Sequence, residues 1–343
     1  MTTESPPDGT DRSQLTDPSS PVTVVILCYN QAAFVQRSLE SVAEQVLRPA
    51  HLVVVDDASS DASASVISDY LASVDGHVTP LFHQTNRGLL RTMNETLALV
   101  ESTYVAFLGA DDWMEPARLQ LQVQEFERRG ADYAGMYSAM TRVDEHGVPV
   151  PSPSMASPDS ADEDVFLANI RRTSIGAPSV LLRTSAVREV GGYDEALPME
   201  DYDLWLRLLR RYKFGYLDIP LVNYRILITS LSSTTDIWKY REWHLHSLAK
   251  HLDAPGMRGT AVRDRMAEIT KQLYFRGRSA KLTRRDLVQC FRHSPDIQTA
   301  ILIACATTGM SGMRLEGAYA RLVRAVRPIT RWSAARDDHG RRT

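Results

Sequence analysis

The chain has 343 residues, 43% hydrophobic and 24% charged, the composition of a folded protein with room for one large domain or one and a half ordinary ones. Its formal charge of −3 hides an asymmetry: from Met257 onward 18 Lys and Arg face 7 Asp and Glu, while the remainder carries 21 against 35. No nucleic-acid partner is expected, and Cys28, Cys290 and Cys305, far apart and without metal-ligand spacing, argue against a disulfide framework or a zinc site and fit a reducing cytoplasm.

Met1 to Ser20 is rich in Pro, Ser, Thr and Asp with almost nothing apolar, so a disordered lead-in is expected there. It lacks the basic-then-apolar pattern of a secretion signal, and the longest apolar stretch, around Thr299 to Thr308, is too short to cross a bilayer. From Val22 short apolar runs alternate with helix-period segments. Val22 to Leu27, Leu52 to Val55, Val78 to Phe82 and Tyr104 to Leu108 read as buried strands. Between them, Phe34, Val35, Leu39, Val42 and Val46 mark one helix face, Val66, Ile67, Tyr70 and Leu71 a second, and Met93, Leu97 and Val100 a third. Three successive strand-helix units imply an α/β architecture with a mostly parallel, right-handed, doubly wound sheet. Pro149 to Asp159 reads as a surface loop, Ser179 to Leu182 as another strand, Gly191-Gly192-Tyr193 as a turn, Asp203 to Arg211 as a helix, and Phe214 to Tyr224 as a closing strand. From Asp236 on the chain reads as helices alone, and no internal repeat is present.

In such sheets ligands gather at the carboxyl ends of the strands, where loops and helix N-termini converge. The residues there are Cys28-Tyr29-Asn30, Asp56-Asp57 and Asp111-Asp112. Two adjacent acids such as Asp111 and Asp112 can hold a hard cation whose other positions are filled by phosphate oxygens, and Asp112 could equally cap a helix beginning near Pro116. Asp57 is placed to accept a hydrogen bond from a nucleobase, or to be absorbed in an Asx turn with Ala58-Ser59-Ser60-Asp61. Tyr29 is an aromatic at a strand end, fit to stack on a base or to cover core. Arg91 lies near the start of a helix that follows Asn86-Arg87-Gly88, where a phosphate or plain solvent would suit it. Glu200, Asp201 and Asp203 precede an apolar helix; they complement its dipole, or one of them is a general base in a desolvated site.

The order of these segments resembles the family 2 glycosyltransferases over Val22 to about Ser233, some three fifths of the chain. The matching stretches are VTVVILCYNQ at Val22, LVVVDDASSDAS at Leu52, NRGLLRTMN at Asn86, YVAFLGADDWMEP at Tyr104, GGYDEALPMEDYDLWLRL at Gly191 and LVNYRILITSLSS at Leu221. The resemblance implies a GT-A, Rossmann-like fold with a helical C-terminal extension, a nucleotide-diphosphate sugar donor, a Mg²⁺ or Mn²⁺ cofactor, and inversion at the anomeric carbon. By position it implies Tyr29 and Asp57 at the base with Arg91 near, Asp111 at the ribose and the metal, Asp112 at the metal, Asp201 as catalytic base with Glu200 beside it, and Arg225 against the diphosphate. The Gln-x-x-Arg-Trp element of processive members is absent after Asp201, so one sugar per encounter is expected. Three positions depart from the family pattern: Leu27 for a frequent Pro, Gly109 where many members carry an acid, and Leu227 where a His is frequent.

The expected architecture is a lead-in over 1–20, a transferase domain over 21–235 and a basic helical region over 236–343. The expected acceptor is a cell-envelope saccharide, a lipid-linked intermediate or a glycosylated metabolite, used in the cytoplasm or at the inner face of the cell membrane. Two uses are open to the basic helices: peripheral contact with an anionic membrane, or capping of the domain with a homodimer face. The rival function, motivated by Gly109 and Leu227, is a non-catalytic nucleotide-sugar binder that scaffolds a glycan assembly. A dinucleotide-dependent oxidoreductase is disfavoured because no Gly-x-Gly-x-x-Gly follows the first strand.

Overall fold

The computed structural model describes residues 14–151, 164–172, 175–197, 201–228, 230, 234–275, 284–285, 287–288, 291–292 and 297–308. Internal packing divides the chain into two units, Met1–Thr235 and Asp236–Thr343.

The first unit is framed by one sheet. Strands β1 (Val22–Cys28), β2 (His51–Asp56), β3 (Val78–Phe82) and β4 (Tyr104–Gly109) lie parallel in the order β3, β2, β1, β4. Helices α1 (Val35–Ala43), α2 (Ser63–Leu71) and α3 (Leu89–Leu99) connect them. Every residue of β2 and nearly every one of β1 is buried, which is why both read as unbroken apolar runs. Val24, Ile26, Leu39, Leu52, Val54 and Ile67 share one core with Ala106 and Leu108.

Beyond β4 come β5 (Trp113–Met114), α4 (Arg118–Arg129), β6 (Tyr133–Val143), α5 (Val165–Arg172), β7 (Leu181–Arg183), α6 (Thr184–Glu189), α7 (Asp201–Leu209) and β8 (Lys213–Arg225). The sheet continues β4, β7, β6, β8, β5, with β7 antiparallel to both neighbours, β8 parallel to β6 and β5 antiparallel to β8. The expected doubly wound, mostly parallel sheet is thus present in a mixed, eight-stranded form.

Several boundaries differ from the sequence reading. Strand β6 was not anticipated, because YAGMYSAMTRV holds no β-branched residue before Thr141, and β5 is too short to show a period. Pro178 sits in a single 3₁₀ turn, Ala177–Ser179, so β7 begins at Leu181 rather than Ser179. Val46 lies past the end of α1 and is exposed, so it is not part of that helix's core face. Asp112 does not cap α4; β5 and the cap residue Ala117 intervene. The lead-in is ordered from residue 14: Leu15 is fully buried and donates its N–H to Asp75 O at 2.8 Å, an apolar anchor that outweighs the polar composition around it. Residues 1–13 lie outside the described chain, as do 152–159 of the expected loop.

The second unit contains α8 (Ile237–Ala249), α9 (Gly256–Phe275) and α10 (Ile297–Thr307) among its described residues. Asp236 caps α8 by accepting the Trp238 N–H at 2.9 Å, and Tyr274, Leu287, Leu302 and Ala306 form a small core. No described helix is long and apolar enough to cross a membrane.

Candidate active site

The register of the parallel strands decides which loops meet. Cys28 pairs with Asp56, Leu27 with Gly109 and Asp56 with Phe82, so Tyr29, Asp57 and Asp111-Asp112 all emerge at one rim. The first two loops are laced together. Asn30, in a left-handed conformation at φ 55°, accepts the Ser60 N–H on Oδ1 at 2.8 Å, and its own N–H meets Ser59 Oγ at 2.8 Å. The N–H groups of Gln31 and Ala32 reach Ser63 Oγ and Asp61 Oδ2 at 2.9 and 3.0 Å. Tyr29, half exposed, lies directly before this lacing.

Asp57 is buried and heavily engaged. Its Oδ1 accepts from His83 Nδ1 at 2.7 Å and from the Arg87 N–H at 2.8 Å, and its Oδ2 accepts from the Gly88 N–H at 2.9 Å. The carboxylate therefore shapes the turn into α3, and one acceptor position on Oδ2 remains for a ligand. Arg87 forks onto both oxygens of Glu95 at 2.9 and 2.8 Å. Arg91, in the first turn of α3, is exposed.

Asp111 and Asp112 have a different environment. Asp112 is 3% exposed and receives the Arg225 backbone N–H on Oδ1 at 2.8 Å. Burial pushes its carboxyl well above the usual range, and the Asp111 charge pushes the same way; Arg225 and Arg118 draw it back. Burial also raises Asp111, with its own backbone N–H and the Arg225 charge opposing. The Gly109 departure acquires a reason here: a Cβ at 109 would stand 2.8 Å from Asp111 Oδ1 and 3.6 Å from Asp112 Oδ2. The carboxylate of Asp111 folds back into the space that an acid at 109 would need.

Arg225 joins this pair from β8. Its Nε donates to Asp111 O at 3.0 Å, and its Nη1 donates to Asp144 O and Glu145 O at 3.1 and 2.6 Å. The guanidinium lies over the Phe34 and Trp113 rings, 4.5 and 5.0 Å from their centroids. The sequence reading set Arg225 against a diphosphate, whereas the structure spends its Nε and Nη1 on backbone carbonyls and leaves Nη2 without an acceptor among the described residues.

Arg118 was missed. It is fully buried at the start of α4, with Nε on Gln122 Oε1 at 3.2 Å and Nη2 on Val180 O at 3.4 Å, while Nη1 is buried without a partner. Burial lowers its pKa to about 9, and the charge of Asp112 works against that. The signal was available: Arg118, Leu119, Gln122, Val123 and Phe126 fall on one face of α4, the buried one.

Asp201 opens α7 and accepts the Tyr202 N–H. A helix N-terminus alone favours the carboxylate; here burial dominates and raises its pKa, with that N–H and its own opposing. Asp201 is partly buried, an environment in which a carboxylate is a stronger base than in water. Asp203 is bound to Arg207 Nε at 2.7 Å and so is occupied as a helix ion pair. Glu200 lies outside the described residues. The segment leading to α7 is fastened near the carboxyl end of β4: Tyr193 meets Phe107 edge-on at 5.6 Å, and Asn94 of α3 accepts the Tyr193 N–H and donates to Tyr193 O, each at 2.9 Å. Gly192, at φ 68°, must be glycine, since a Cβ would stand 2.7 Å from Asn94 Oδ1.

Among the described residues no group of three or more His, Cys, Asp or Glu side chains is arranged to hold a metal ion. Two adjacent carboxylates, Asp112 buried and Asp111 partly buried, nonetheless fit Mg²⁺ or Mn²⁺, which take one or two carboxylates and complete their shell with phosphate and water.

Residues 23–165 match the family described as Glycosyl transferase family 2. EpsE of Bacillus subtilis, named as a candidate glycosyltransferase, is 28% identical over 205 residues, 57% of this chain and 69% of its own length. TuaG of the same organism, named as a candidate teichuronic acid biosynthesis glycosyltransferase, is 24% identical over 219 residues, 64% and 83% of the two chains. Among solved structures, residues 1–349 of Staphylococcus aureus TarS in complex with UDP give a TM-score of 0.59 at 17% identity, covering 88% of this chain and 91% of that one. The mannosyltransferase PcManGT from Pyrobaculum calidifontis, in complex with GDP-Man and Mn²⁺, gives 0.54 at 16% identity, with coverages of 85% and 81%. A longer TarS chain is spanned over only 53% of its length. At these identities the structural likeness is one of fold, and the fold is GT-A.

Proposed function

We propose that the chain, whose residues 23–165 match the family 2 glycosyltransferases, is an inverting, metal-dependent transferase that passes one sugar per encounter from a nucleotide-diphosphate donor to a hydroxyl acceptor of a cell-envelope glycan. The observation that carries this reading is the contrast at the rim: Asp111 and Asp112 are desolvated and incompletely compensated, next to a stitched loop that presents Tyr29 and the last acceptor position of Asp57. The base of the donor stacks on Tyr29, with Asp57 accepting from its N–H. Asp111 takes the ribose, and Arg225 offers its Nη2 edge to the diphosphate. Held by Asp112 and Asp111, the cation would supply the positive charge that the departing diphosphate requires.

Asp201 takes the proton from the acceptor hydroxyl as that oxygen attacks the anomeric carbon. The bond from this carbon to the diphosphate oxygen breaks on the opposite side, so the configuration inverts and nucleoside diphosphate leaves with the electron pair. The raised carboxyl of Asp201 makes it the stronger base for this task. Asp111 Oδ1, which lies against Gly109, supports the reading in which Asp111 stands in for an acid at 109. A cell-envelope acceptor is supported by the name of TuaG, and the reading puts the reaction in the cytoplasm or at the inner face of the cell membrane.

The test is donor turnover with Mn²⁺ across a panel of UDP- and GDP-sugars, read as nucleoside diphosphate released. Slow release that Asp201→Asn lowers about a thousandfold while donor-dependent thermal stabilisation persists is the expected result. Stabilisation by a donor without turnover on any acceptor would establish the binder instead.

A further inference from the structure

Arg225 is the most densely connected cation of the rim, and its connections run to the chain around the acids. Its backbone N–H holds Asp112 Oδ1, its Nε holds Asp111 O, and its Nη1 holds Asp144 O and Glu145 O. Phe34, just ahead of α1, and Trp113, just after the acids, both lie under its guanidinium. Gly147 completes the enclosure: a Cβ there would stand 3.5 Å from the Trp113 ring and 3.9 Å from Arg225 Nη1. The turn at 144–148 is itself tied by Asp144, whose Oδ1 accepts from the N–H groups of His146 and Val148, both at 2.9 Å. Three separate stretches of chain thus converge on a residue only 6% exposed.

We propose that Arg225 is a positioning residue, a clamp that sets the backbone of Asp111 and Asp112 in the orientation that receives the cation, and that this role outweighs any direct attraction for the diphosphate. The inference rests on the cation reading given above. A planar fork that satisfies several carbonyls and lies over two rings is a geometric device that an ammonium cannot reproduce, whereas attraction for a diphosphate is a matter of charge that Lys would largely preserve. The two roles therefore differ in what Arg225→Lys does.

The experiment titrates the protein with the Mn²⁺–pyrophosphate complex, a probe free of any choice of base or sugar, and follows the relaxation of water protons. Wild type and Asp112→Asn are the reference pair; loss of at least tenfold in Asp112→Asn shows that the cation sits where the reading puts it. Against that background Arg225→Lys and Arg225→Met are expected to lose affinity alike, each by about tenfold. Phe34→Leu, which removes one ring and keeps the charge, should lose severalfold, and it serves if both Arg225 variants fail to fold. Retention of wild-type affinity by Arg225→Lys with loss confined to Arg225→Met would overturn the clamp in favour of a charge contact. Full retention by every Arg225 and Phe34 variant would overturn it as well. If Asp112→Asn itself binds like wild type, the cation reading fails and the clamp falls with it, an outcome distinct from failure of the clamp alone.

Discussion

Asp56-Asp57 and Asp111-Asp112 occupy equivalent places, at the ends of the two strands that flank β1, and the rim around them nevertheless uses them in opposite ways. Asp57 is spent on His83 and on two backbone N–H groups of the next loop, and Asp56 Oδ2 holds the Ser59 N–H at 3.0 Å. Asp112 receives a single backbone N–H and a buried arginine's field, and its carboxyl is driven upward. Asp57 secures local order, whereas Asp112, like the buried Oδ1 of Asp56, is kept short of partners, the condition in which a carboxylate binds a cation strongly. Identical dipeptides at equivalent strand ends thus become scaffold or site according to how many N–H groups the neighbouring loops bring to them.

The comparison breaks most visibly in Asp112→Asn. Turnover of a donor with Mn²⁺ should fall about a thousandfold while the melting temperature changes little, measured as nucleoside diphosphate release beside a thermal melt. Asp57→Ala should behave the other way, losing about 1–3 kcal/mol of stability in urea unfolding because three donors are orphaned, with a smaller loss of turnover per folded molecule. Equal loss of turnover in the two variants with stability untouched in both would erase the distinction.

Titration sharpens it further. Because Asp111 and Asp112 have raised folded-state values, they take up protons at a higher pH than they would in the unfolded chain, so their contribution to metal-free stability is fullest in acid and is lost as pH rises through those values. The cation competes for the same carboxylates, so the gain in melting temperature on adding Mn²⁺ should grow from acid toward neutral pH. A gain of constant size across that range would place the cation elsewhere. The smallest effect is expected of Gly109→Ala, whose new methyl group crowds Asp111 Oδ1 and should weaken Mn²⁺-dependent donor binding severalfold, about 1 kcal/mol, with the fold intact. Unchanged affinity would show that Asp111 has room to move.

The parallel half of the fold was legible because buried strands and amphipathic crossovers write their periods directly into the sequence; Val78–Phe82 was bounded without error, although it is a partly exposed edge strand and not a buried one. The half beyond β4 was not, since β5 is two residues long and β6 lacks branched residues over most of its length. At the site, the strand-end acids and Asp201 were visible as residue types in place. What could not be read was which of them other groups had claimed. His83, Arg87 and Gly88 lie 26 to 31 residues beyond Asp57, and Arg225 lies more than a hundred beyond Asp111 and Asp112, so the decisive partners belong to tertiary structure. Arg118 shows the converse: helical period put it on a buried face, and only its chemistry disguised that.

Asn94 works as a double-ended plug between α3 and the approach to α7, its amide giving a proton to Tyr193 O while taking one from Tyr193 N. Aspartate of the same shape can only take, and leucine of the same shape can do neither. The position accordingly has no substitute of equal size, and its neighbour Gly192 cannot gain even a methyl group to compensate. Asn94 and Gly192 are fitted to each other, so a change at either one asks for a change at the other.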